Sequence, residues 1–256
     1  MATHHDELAI VYRSTVVLHA VVLDQSIVRH ALAHIASPGR LPTGSVDVMG
    51  VAADERRALS ALFEDLGPDA PTLCEGWTTR DLAAHLVVRE HRADAAPGII
   101  VPALAGYTKK VQDRYAAKPW ANLVEQVRSG PSKFWPTAIG PLDELTNTAE
   151  FLVHHEDVRR AQDGWEPRPA DPTRDAAAWR AAKQGAKLNL RKAPVGVTLK
   201  TRDGREAAVK TGPDPVTVVG DPVDLLLFVF GRDAVTLDFE GDAAAVTKLQ
   251  AANRGL

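Results

Sequence analysis

Glu150 and His154 stand four residues apart in NTAEFLVHHEDVRRA (147–161), and that interval constrains the chain more than any other feature. At about 100° per residue, two such positions project within about 40° of one another on a helix. A carboxylate and an imidazole then share one face inside an apolar run, which is ligand spacing. A second segment, GWTTRDLAAHLVVR (76–89), sends His85 out of a helix whose Leu82, Leu86 and Arg89 lie on the same side. If the two helices pack face to face, His85, Glu150 and His154 meet as two imidazoles and one carboxylate. That set suits a divalent metal such as zinc with one coordination position left open.

Each residue alone has a plainer reading. His85 could be a buried core histidine, and Glu150 an ion-pair partner of Arg159 or Arg160. Together these readings weaken, because a carboxylate buried one turn from an imidazole without a cation is costly. His155 is out of line with Glu150 by about 140° and is expected behind the ligands or facing solvent. Asp157 could accept the ring N–H of a ligand histidine. Arg159 and Arg160 read as charges complementing the helix end, and Trp77 as a packing anchor. Asp81 follows the candidate N-cap Thr78 by three residues and reads as the acidic member of a capping box rather than as a ligand. His30 and His34 repeat the four-residue interval with no third ligand in a matching context. Cys74, the one cysteine, has no histidine placed beside it by motif and reads as a buried structural thiol.

The chain divides by composition. Residues 1–48 hold β-branched runs and then the linker-like SPGRLPTGS (37–45), and read as an N-terminal extension. Helical periodicity follows over 54–66, over 78–89, over a third zone at 104–117 that resumes at 120–127, and over 142–161, with Gly67-Pro68, Pro97 and SGPSKFWP as breaks. Residues 49–163 are therefore expected as a four-helix bundle, whose interior is where facing side chains build metal sites. After Gly164 a proline-rich connection leads to a helix near 173–190 and to strand-like segments at 195–201, 206–210 and 216–219. Asp203-Gly204 reads as the hairpin turn between the first two. A short apolar helix, DPVDLLLFVF, a strand near 235–239 and a helix over 243–252 complete an α+β domain spanning 164–256.

Several partners are not implied. A formal charge of −3 with acids and bases interleaved gives no long-range attraction to nucleic acid or to an anionic membrane. The most apolar run, 8–28, is interrupted by Arg13, His19 and Asp24, short of the roughly 18 apolar residues a span requires. It also lacks a basic start and a cleavage site. A single cysteine fits a reducing cytoplasm, and the protein is expected there as a monomer or homodimer.

With these features in hand, the chain resembles the mycothiol-dependent maleylpyruvate isomerase family through TLCEGWTTRDLAAHL (72–86), EFLVHHEDVRRA (150–161) and GDPVDLLLFVFGR (220–232). The resemblance implies a DinB-like four-helix bundle followed by a small α+β domain. It also implies a divalent metal, usually zinc, on His85, Glu150 and His154, and a catalytic arginine, for which Arg232 is the nearest match. The activity it implies is activation of a small thiol, mycothiol, for transfer to or isomerisation of a small electrophile. Two alternatives stay open: water in place of the thiol, giving a hydrolase, or a metal-binding module that meets no substrate.

Overall fold

The computed structural model describes residues 50–254 except 93, 100 and 132–139, and at 97, 99, 102 and 140–146 it describes the backbone only. The extension 1–48, with His30 and His34, lies outside the described residues. The chain forms two compact units, one ending at Arg168 and the other beginning at Pro169. The junction follows the end of the expected bundle by several residues because Arg168 pairs with Glu55 and Glu156, tying 164–168 to the first unit.

The first unit is helical. Helix α1 (Val51–Leu66) buries Leu59 and Phe63 and stops at Gly67, whose φ of 78° suits glycine and whose N–H returns to the Phe63 carbonyl. Helix α2 (Thr79–His91) begins with a capping box, in which the Thr78 N–H donates to Asp81 Oδ2 at 3.0 Å. Asp81 is thus occupied at the helix start, as its spacing from Thr78 indicates. Two short 3₁₀ turns lead into α3 (Ala105–Ala116), then α4 (Trp120–Ser129) and α5 (Gly140–Arg159). Helix α1 packs on α4 and α5, and α2 on α3 and α4. Their apolar faces close over a common core that includes Leu59, Phe63, Leu82, Leu86, Leu123 and Phe151.

The second unit is α+β. Asp171 caps α6 (Pro172–Asn189) through the Thr173 and Arg174 amides. A mixed sheet of β1 (Val197–Thr201), β2 (Glu206–Lys210), β3 (Val216–Gly220) and β4 (Leu237–Glu240) has the order β2-β1-β3-β4, with β1 and β3 parallel and the outer pairs antiparallel. The β1–β2 turn contains Gly204 at φ 92°. Helix α7 (Pro222–Val229) is buried along its whole length and packs on α6; α8 (Ala243–Gln250) follows β4. Among the described residues no helix is long and apolar enough to cross a membrane.

The capping box fixes where α2 starts and hence the rotation that aims His85 inward. Thr78→Ala should lower the unfolding free energy by about 1 kcal/mol in a denaturant titration; an unchanged midpoint would show that packing alone sets the start of the helix.

Candidate metal centre

Helices α2 and α5 each contribute residues one turn apart, His85 and Arg89 from the first and Glu150 and His154 from the second. His85 Nε2 and His154 Nε2 each lie 3.3 Å from the same oxygen, Glu150 Oε1. The imidazole centroids are 5.6 Å apart, and a ligand atom from each of the three residues lies within 4.8 Å of those of the other two. All three are fully buried. The structure therefore brings together the two imidazoles and the carboxylate that the sequence spacing singled out.

The atoms around this group set its orientation. His154 Nδ1 lies 2.9 Å from Asp157 Oδ2, one helical step further along α5. With Nδ1 turned to Asp157, Nε2 faces Glu150. Asp157 Oδ2 also accepts from Cys74 Sγ at 3.3 Å, and its backbone carbonyl accepts from the Leu73 N–H at 2.9 Å. The 72–77 loop is folded on itself by Thr72 Oγ1, which accepts from the Cys74 amide and donates to the Trp77 carbonyl. That loop lays the Trp77 ring 5.2 Å from the His85 ring. Cys74, for which no motif placed a histidine, is buried as expected and comes within 3.9 Å of His154 Nδ1. The signal for this contact is tertiary: the loop and α5 are far apart in the chain, so no local spacing could report it.

On the other side, Arg89 Nε is 3.5 Å from Glu150 Oε1, and its Nη1 donates to Asn147 Oδ1. Asn147 Nδ2 donates to Glu90 Oε1 at 3.2 Å, and Arg56 grips both Glu90 oxygens at 2.5 and 2.7 Å. Glu150 accordingly pairs with Arg89 and not with Arg159 or Arg160. Those two arginines bind Glu156 instead, with Arg160 Nε at 2.6 Å and its guanidinium over the Trp165 ring. His155 is neither exposed nor behind the candidate ligands. It is buried against α1, with Nδ1 2.6 Å from Glu55 Oε2, because its rotation around α5 aims it at that helix.

Burial acts to raise the Glu150 pKa, but the charge on Arg89 and the contacts from both histidines outweigh it and hold the carboxyl well below its ordinary range. For His85 burial prevails and lowers the pKa. For His154 burial acts downward as well, yet Asp157, Cys74 and Glu150 together hold the imidazole well above its usual value. The fit to a metal rests on two atoms. Among the described residues Glu150 Oε2 is buried with no hydrogen-bond partner, and His154 Nε2 meets only Glu150 Oε1 across 3.3 Å, a costly arrangement for polar atoms unless another group meets them. Two imidazole nitrogens and a carboxylate oxygen match the donor set of a catalytic zinc site.

Arg232 belongs to the second unit. Its N–H donates to the Leu227 carbonyl while that of Gly231 donates to Phe228, and Gly231 has φ 81°, so the pair closes α7 as a Schellman motif. Its Nη1 donates to the Phe230 carbonyl at 2.7 Å, and the residue is largely buried.

Because His154 holds a proton with a raised pKa, a metal must displace that proton to reach Nε2. Apparent zinc affinity should therefore rise with pH above the ordinary histidine range, by up to about tenfold per unit for one proton released. Competition with a chromophoric chelator measures this; a flat profile would contradict the assigned protonation.

Residues 51–134 match the family model described as mycothiol maleylpyruvate isomerase N-terminal domain. The match takes in α1 through α4, with Cys74, His85 and Arg89, and ends before Glu150 and His154. No curated protein and no solved structure matches. Across 51–134 the chain is thus similar to the N-terminal domain of mycothiol maleylpyruvate isomerases, the family its motifs resemble.

Proposed function

We propose that this protein is a metal-dependent enzyme that activates a low-molecular-weight thiol, mycothiol, for transfer to or isomerisation of a small electrophilic substrate. The observation that carries the reading is the convergence of His85 Nε2, His154 Nε2 and Glu150 Oε1 in a buried cluster where, among the described residues, Glu150 Oε2 and His85 Nδ1 have no hydrogen-bond partner. The family match over 51–134 supports the thiol. In this reading the helical unit is a DinB-like four-helix bundle, and the donors sit where its helices face one another.

The residues divide the work. His85, Glu150 and His154 would hold a divalent metal, zinc by donor type. When bound, such an ion would supply the acidity that favours the thiolate, the nucleophilic form of a thiol, at neutral pH. Asp157 keeps the His154 tautomer that offers Nε2. Arg89 keeps Glu150 ionised, and Trp77 shields the His85 ring. Arg232 is proposed to hold an anionic group of the electrophile, a task for which its guanidinium has the bidentate geometry. A thiol-dependent reaction of this kind belongs in a reducing cytoplasm, where the buried Cys74 thiol stays reduced.

The purified protein should carry about one equivalent of metal by elemental analysis, lost on His154→Ala. Turnover of electrophiles should require both the metal and mycothiol, with glutathione a poor substitute and chelator abolishing it. Metal-dependent turnover without any thiol would redirect the assignment to a hydrolase. A fully metal-loaded protein without turnover across a broad electrophile panel would identify a binding module.

A further inference from the structure

Arg89 places a permanent positive charge 3.5 Å from the oxygen at the centre of the candidate metal site. Its position is built in. It lies one helical turn from His85 on α2, is buried, and its Nη1 is fastened to Asn147 while also lying 3.9 Å from Glu90 Oε1. Glu90 is in turn gripped by Arg56 through both oxygens. Among these four buried charges, Arg56 and Arg89 balance Glu90 and Glu150. A divalent ion arriving between the imidazoles and Glu150 therefore enters a cluster that has already neutralised its own carboxylates.

We propose that Arg89 is a positioning residue that serves as a stand-in cation for Glu150, stabilising the metal-free fold while weakening, through its charge, the grip of the assembled site on a divalent metal. This rests on the ligand assignment made above. Two consequences have opposite signs. Without a metal, a neutral side chain at 89 leaves a buried carboxylate without its counter-charge, so the fold loses stability. With a metal, the repulsion between a unit charge and a divalent ion a few ångströms apart disappears, so binding tightens. A residue that merely shaped the site would on removal weaken both.

The test uses the full chain, titrated with Zn²⁺ against a competing chelator at one pH shared by all variants, with melting curves recorded before and after loading. Arg89→Gln should bind Zn²⁺ about tenfold more tightly than the parent, melt at a lower temperature when metal-free, and gain more on loading. Arg89→Lys, which keeps the charge, should stay near the parent in both respects. If Arg89→Gln does not fold, Glu90→Gln gives the reverse test: removing the carboxylate that shares Arg89 should weaken Zn²⁺ binding by about tenfold. Weaker or unchanged affinity in Arg89→Gln, or unchanged or tighter affinity in Glu90→Gln, would overturn the proposal. A parent protein that takes up no Zn²⁺ would instead sink the ligand assignment, leaving the metal-free melting of Arg89→Gln to judge the counter-charge alone.

Discussion

A single carboxylate oxygen organises the first unit. Glu150 Oε1 has an imidazole nitrogen from each of two helices at 3.3 Å and a guanidinium nitrogen at 3.5 Å, and nothing around it is open to solvent. Withdrawing a carboxylate from water costs several kcal/mol, so the fold is tolerable only if positive or donating groups are delivered to that oxygen accurately. The capping box at Thr78 and Asp81 sets the rotation of α2, and the apolar contacts of Leu82 and Leu86 hold it there. The face of α5 then supplies the carboxylate and the second imidazole one turn apart.

The site's chemistry follows from the asymmetry between its two histidines. His154 is backed by Asp157, itself touched by Cys74, and this fixes which nitrogen faces inward. Among the described residues His85 has no such partner on Nδ1, and it is positioned by its helix and by the Trp77 ring. One imidazole is therefore basic and strongly held, the other neutral through burial. A divalent ion would find one ligand ready and one still carrying a proton, which couples its binding to pH.

What could be read from the sequence was what depends on nearby residues. The four-residue interval between Glu150 and His154, the Thr78–Asp81 box, the Gly67 stop and the Asp203-Gly204 turn are all short-range patterns. The hairpin strands and the buried helix α7 came from equally local alternation and apolar runs. Contacts between distant segments left no such trace. Glu55 and His155 are 100 residues apart and Glu55 and Arg168 are 113 apart, so nothing in spacing could show that His155 would be claimed by α1 rather than face solvent. Arg89 was visible on the His85 side of its helix, but its role beside Glu150 required the second helix to be in place. The burial of Cys74 was legible, but its contacts with His154 and Asp157 were not, because those neighbours come from α5.

In the proposed site two imidazoles and one carboxylate, and no sulfur, hold a single cation. X-ray absorption spectroscopy of the zinc-loaded protein tests it most directly. The predicted result is a first shell of nitrogen and oxygen at about 2.0–2.1 Å with the outer-ring scattering of two histidines. A sulfur scatterer at about 2.3 Å would place the metal on the Cys74 side of His154 and contradict the site described.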